Sequence, residues 1–168
     1  QDKGMQVDYL NIGDPVQFGF QPPNNVKQAF IDAINKGENF YSSSEGLLEL
    51  REEIAKKENA KGLSISADDV LVTNGVSEAL DMVISSIVEE GDEVLLPGPY
   101  YPPYASYVRL RGGTPVEFSV DLNNSTPDIE DIRKKITPKT VAICLISPNN
   151  PTGVVFSEES LKELVNVA

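Results

Sequence analysis

Three short stretches of this sequence combine residue types that can do chemistry, and each one follows an apolar run. In "TNGVSEAL" (73–80), Gly75 suits a tight turn and Ser77 stands where it can cap a helix. A helix start offers unpaired N–H groups and a partial positive charge, which suits a phosphate. The same pattern also describes an ordinary strand-to-helix turn. In "LPGPYYPPY" (96–104), Tyr100 and Tyr101 are adjacent where a strand stops. One can enter the core while the other lies over a planar ring, or both can pack beneath the next helix. In "SPNNPTG" (147–153), Asn149 and Asn150 offer amides able to donate to a phenolate oxygen and favour its ionised form. Turn formation alone would also use Asn, Pro and Gly, although proline on both sides is stiffer than a turn requires.

The elements that would position these stretches follow from hydrophobic periodicity. "NNVKQAFIDAINKG" places Val26, Phe30, Ile31 and Ile34 at helical spacing, with an Asn at the start and Gly37 at the stop. "EGLLELREEIAKKENAKG" predicts a second helix with Leu47, Leu50 and Ile54 on one face. From Asp68 onward, strands "DVLVTN", "DEVLLP", "TPVEFSV" and "TVAICLIS" alternate with helices "VSEALDMVISSIVEEG", "YPPYASYVRLRG", "TPDIEDIRKKIT" and "SEESLKELVNVA". That alternation predicts an α/β fold with three layers, helices covering both faces of a mainly parallel sheet. Ligands of such sheets bind at the carboxyl ends of the strands. Thr73–Ser77, Pro97–Tyr101 and Ser147–Gly153 are the loops expected there.

Composition narrows the chemistry. The 168 residues suffice for one domain with a core and are few for two. A net charge of −12, with no basic run among aromatics, argues against nucleic acid or an anionic membrane as partner. No apolar stretch reaches the length of a membrane span, and "QDKGMQVDYL" does not read as a signal peptide, so a cytoplasmic setting is expected. Histidine is absent, which removes the commonest general base and metal ligand from this stretch. The single cysteine, Cys144, lies in an apolar run and reads as buried rather than nucleophilic. Catalysis by such a chain would rest on a cofactor, and no metal site is expected.

Taken together, "NIGDP" (11–15), "YSSSEGLLELREEIA" (41–55), "VTNGVSEAL" (72–80), "GDEVLLPGPYYPPY" (91–104) and "SPNNPTG" (147–153) resemble the fold-type I, class I/II aminotransferases. These enzymes depend on pyridoxal 5′-phosphate. The resemblance spans essentially the whole chain, and it looks strongest to alanine/aspartate aminotransferase-like members. It implies an N-terminal arm and helix over 1–40, and the first part of the cofactor-binding large domain, still incomplete, over 41–168. It implies that the Gly13 N–H meets the substrate α-carboxylate. Tyr41 would reach across a homodimer interface to the phosphate of the neighbouring subunit's cofactor. The amides of Gly75, Val76 and Ser77 would hold the phosphate of this subunit's own cofactor, Tyr101 would stack on its pyridine ring, and Asn150 would donate to its phenolic oxygen. Gly98–Pro99 and Asn150–Pro151 would be cis.

The family's Schiff-base lysine is expected downstream of Ala168, because none of the ten lysines from Lys3 to Lys162 has the Ser-x-x-Lys setting. The aspartate partner of the pyridine nitrogen is likewise expected downstream. The resemblance therefore implies a transaminase when full length and inactivity for these 168 residues alone, whose sheet would end in an exposed parallel edge. An amino acid and a 2-oxo acid are the implied substrates, with alanine favoured over aspartate because Ser77 is neutral. Two other readings stay open: a relative using the same cradle for elimination or cyclisation, and a non-catalytic dimerising fragment.

Overall fold

The computed structural model describes residues 13–124 and 126–168. They fall into two compact units, one ending at Leu47 and one running from Leu48 to Ala168. In the first unit, Asp14 caps a short 3-10 turn at Pro15–Phe18 by accepting from the Val16 N–H. Helix α1 spans Asn24–Asn35. Its start differs from the expectation: the helix follows Pro23, with Asn24 and Asn25 already inside the first turn, and no side chain caps it. Proline's fixed φ prepares the entry, and the first N–H groups of any helix lack partners in any case. The predicted stripe forms, yet Val26, Phe30, Ile31 and Ile34 all remain about half exposed or more, and no described residue of this unit is buried.

The second unit opens with helix α2, Leu48–Asn59. Leu47 precedes this helix instead of sharing its face. Three side-chain-to-backbone bonds fold the following segment back on α2. The Arg51 Nη1 donates to the Ala67 carbonyl at 2.9 Å, and the Asn59 amide exchanges two bonds with the backbone of Ile65. A capping box between Ser66 and Asp69 closes the 3-10 turn at Ala67–Asp69.

Helix α3 (Val76–Ile87), strand β1 (Glu93–Gly98), helix α4 (Pro103–Leu110) and strand β2 (Thr114–Asp121) follow in order. Then come β3 (Thr126–Pro127), α5 (Ile129–Lys135), β4 (Thr140–Ile143) and α6 (Glu158–Val165). The sheet order is β3-β2-β1-β4, with β1 parallel to both β2 and β4 and β3 antiparallel to β2. The mainly parallel α/β fold is therefore present.

Strand β1 explains the layering. Its four central residues, Val94 to Pro97, are all buried, as a strand covered on both faces must be. Side chains alternate along it. Val94 and Leu96 pack with Ile84, Val88, Ala105 and Val108 from the α3–α4 side. Leu95 points the other way, into Phe118, Ile132 and Leu164 from β2, α5 and α6. Burying each such side chain contributes about 1.5–3 kcal/mol.

Three further elements depart from the sequence expectation. "DVLVTN" is extended at Val70 but joins no ladder, because no strand of the described residues lies beside it. A strand is defined by its partner as much as by its own residues. The last strand keeps only Thr140–Ile143, although the Cys144 N–H still donates to the Leu95 carbonyl at 2.8 Å. Beyond β4 the sheet has no further strand among the described residues, and Val141 is exposed. Helix α3 stops at Ile87, well before Gly91, as Val88 turns extended and drops into the core.

Candidate active site

Strand order locates the site. From β1 the chain moves one way to β2 and then returns past β1 to β4. Sheets of this kind take their ligands where the order reverses, here at the carboxyl ends of β1 and β4. The two loops that leave those ends are the paired-tyrosine loop and "SPNNPTG".

Their connection is direct. The Asn149 Nδ2 donates to the Pro99 carbonyl at 2.9 Å and to the Thr152 Oγ1 at 3.0 Å. The Asn149 backbone closes its own turn, its N–H reaching the Val154 carbonyl at 2.8 Å while its carbonyl accepts from Gly153 at 2.7 Å. Asn149 is buried, whereas Asn150 beside it is exposed. Gly98–Pro99 and Asn150–Pro151 are cis, as is Ser147–Pro148. The loop is also anchored at its far end, where the Ser147 Oγ accepts from the Phe156 N–H just ahead of α6.

The two tyrosines divide. Tyr100 packs against the α3–α4 core, while Tyr101 remains 41% exposed. Tyr104 meets the Tyr101 ring edge-on, with centroids 6.4 Å apart and planes at 82°. Such contacts add about 0.5–1.5 kcal/mol beyond area burial and fix the Tyr101 ring without covering it. Burial, and then the neighbouring Cys144, raise the Tyr104 phenol above its ordinary value. Burial pushes the Cys144 thiol up to about 11. It is therefore protonated near neutral pH and is a packing residue.

At the third loop, Gly75 is the N-cap of α3 with φ +80 and ψ 175. Few residues other than glycine adopt that conformation. The helix thus starts two residues earlier than a Ser77 cap would require, so Ser77 lies within the first turn and caps nothing. The Gly75 N–H is engaged by the Thr73 carbonyl at 2.8 Å, and the Thr73 hydroxyl donates to the Gly75 carbonyl. Among the described residues, the N–H groups of Val76 and Ser77 have no protein acceptor. No atom lies within 4 Å of where a Gly75 Cβ would stand. The loop is an open helix start at which the Val76 and Ser77 N–H groups are free donors. Glu78 was not singled out by the sequence reading, yet its carboxylate accepts from the Asn74 N–H. An acidic residue three places past a turn glycine was the signal for it.

Asn149 is the other residue the sequence left without a role. Two adjacent asparagines gave no means of telling which was buried. The remaining expected residues, Gly13 and Tyr41, belong to the first unit and are both exposed, Tyr41 fully so.

The residues fit a planar, phosphorylated ligand: free amides at an uncapped helix start, an exposed aromatic face, and an exposed amide at the strand ends. Among the described residues no helix is long and apolar enough to cross a membrane.

Comparison with known proteins agrees with this arrangement. The chain is 39% identical over its whole length to glutamate-pyruvate aminotransferase AlaA of Haemophilus influenzae, of which it covers 42%. It superposes on an alanine aminotransferase from Pyrococcus furiosus with a TM-score of 0.92 at 50% identity, covering 99% of this chain and 43% of that one. An aspartate aminotransferase from Thermus thermophilus, solved with maleate, gives 0.84 at 38% identity, covering 89% of this chain and 40% of that one. The chain thus spans about two fifths of the length of the relatives it matches. The sequence model described as Aminotransferase class I and II matches residues 7–168, and the chain belongs to that family.

Proposed function

We propose that these residues form the amino-terminal part of a pyridoxal 5′-phosphate-dependent aminotransferase, which moves an amino group between an amino acid and a 2-oxo acid. The observation that carries the reading is the hydrogen-bonded pair of loops at the β1/β4 switch point, presenting Tyr101 and Asn150 outward. The names of relatives that match the whole chain, glutamate-pyruvate aminotransferase and alanine aminotransferase, support it. When bound, the cofactor supplies an electron sink for negative charge at an amino acid's α-carbon.

The chain's own residues do the holding and tuning. The free amides of Val76 and Ser77 bind the phosphate, and Gly75 keeps that approach clear of a side chain. Tyr101 orients the ring by stacking. The Asn150 amide donates to the phenolic oxygen and holds it in its anionic form. Gly13 offers its N–H to the substrate carboxylate, and Tyr41 serves the neighbouring subunit's phosphate in a homodimer. Residues 1–40 act as an arm and interface segment and 41–168 as the first part of the large domain. The lysine that carries the proton lies outside these residues. Alanine is the preferred donor, supported by neutral Ser77 and by the names alanine and glutamate-pyruvate aminotransferase among relatives. The protein works in the cytoplasm.

The test is the full-length protein, purified and supplied with pyridoxal 5′-phosphate. It should turn yellow and aminate 2-oxoglutarate from a panel of amino donors, fastest with alanine. A colourless protein with no transfer from any donor would refute the proposal.

A further inference from the structure

We infer that Asn149 is a positioning residue, whose side-chain amide locks the Asn150 loop to the Tyr101 loop and so sets how Asn150 meets its ligand. The inference rests on the proposed cofactor reading for its consequence, but the link itself is independent of it. Four polar groups of Asn149 are engaged: the N–H, the carbonyl and both amide hydrogens. The Pro99 carbonyl can only accept, so the NH₂ of Asn149 must face it, which fixes the amide's orientation. One bond of 2.9 Å thereby ties a position adjacent to Asn150 to a position two before Tyr101, across fifty residues of sequence.

The side chain does more than fill a turn. Its Oδ1 is buried and has no donor among the described residues. A turn filler such as serine or glycine would avoid that unfavourable burial, since an unsatisfied buried acceptor is costly. Asn150 shows the opposite pattern: it is exposed, and its amide makes no hydrogen bond among the described residues. The motif therefore divides its labour. Asn149 faces inward and frames the loop, and Asn150 faces outward and is left free to donate.

The experiment compares full-length wild type with Asn149→Ala, Asn150→Ala, the double variant and Thr152→Val. In the apoprotein, amide hydrogen exchange across residues 99–104 should speed up in Asn149→Ala but not in Asn150→Ala. With pyridoxal 5′-phosphate bound, the pH midpoint of the visible absorbance should move in Asn149→Ala in the same direction as in Asn150→Ala, by about half a unit or more. Affinity for the cofactor should fall about tenfold. The double variant should shift the midpoint no further than Asn150→Ala alone, because the two residues act in series.

Unchanged exchange in Asn149→Ala would overturn the link. A wild-type absorbance midpoint in Asn149→Ala, accompanied only by a lower melting temperature, would overturn the positioning role. If Asn149→Ala does not fold, Thr152→Val removes one of the two amide acceptors while keeping the shape. It should give a smaller shift in the same direction, and a wild-type midpoint there would also overturn the inference. Wild type that takes up no cofactor refutes the proposed function, while the exchange result still decides the link.

Discussion

Phe118 and Phe30 have the same side chain and opposite surroundings. Phe118 is wholly buried among Leu95, Ile132 and Leu164, while Phe30 is 69% exposed on α1. The contrast extends to their regions. Among the described residues, all twelve buried hydrophobic side chains lie between Ala55 and Leu164, and none lies in the unit that ends at Leu47. An amphipathic pattern and a suitable entry are enough to make a helix such as α1. Burying its stripe requires a second surface, and the described part of that unit contains none.

The largest effect that would test this contrast is Phe118→Ala, expected to destabilise the second unit by about 3–5 kcal/mol in denaturant unfolding. Gly113→Ala comes next. A Cβ there would stand 2.6 Å from the Val88 Cγ1 and 3.0 Å from the Val108 Cγ1, both buried side chains. Overpacking of this kind costs about 1–3 kcal/mol, read from the same unfolding curves. Gly75→Ala meets open space, so its cost, about 1–3 kcal/mol, comes from the backbone alone. It should also weaken cofactor binding, which Gly113→Ala should spare; equal effects of the two on binding would contradict the role given to the α3 start.

Acid gives a smaller effect. The Lys135 ammonium, followed by the Ser119 N–H, holds the Asp131 carboxyl below its ordinary value of 3.8. A depressed carboxylate stabilises the fold above its unfolded pKa, and that stability is lost as pH falls through the folded value. Melting temperatures measured in steps below pH 3.8 should therefore fall less steeply in Asp131→Asn than in wild type. The smallest effect belongs to Phe30→Ala, expected within about 0.5 kcal/mol of wild type. A loss in the full-length protein comparable to that of Phe118→Ala would break the comparison, and would mean that another surface covers α1 in the assembled molecule.

Legibility in the sequence followed the same division. β1 was readable because "VLLP" is apolar without interruption, α4 because of its own periodicity, and α5 and α6 because Asp128 and Ser157 cap their starts locally. The strand expected at "DVLVTN" was not secured by its residues, since a ladder needs a partner and none stands beside it among the described residues. Ser77 does not serve as the cap because the turn at Gly75 begins the helix two residues sooner. The site loops were found by composition, but the inward and outward roles of Asn149 and Asn150 depend on a carbonyl fifty residues away. No local pattern encodes that.

The strand order also sets a timetable for assembly. Glu93 pairs with Thr114 across 21 residues (114 − 93) and with Thr140 across 47 (140 − 93). Closing the longer loop costs about 0.7 kcal/mol more in chain entropy, so the β1–α4–β2 unit should form before β4 docks. Pulse-labelled exchange should protect the amides of β2 ahead of those of β4, and the reverse order would rule this out. The tyrosine loop would then be in place first, and the Asn149–Pro99 bond would be among the last contacts made, closing the site only after the strands on both sides of it are seated.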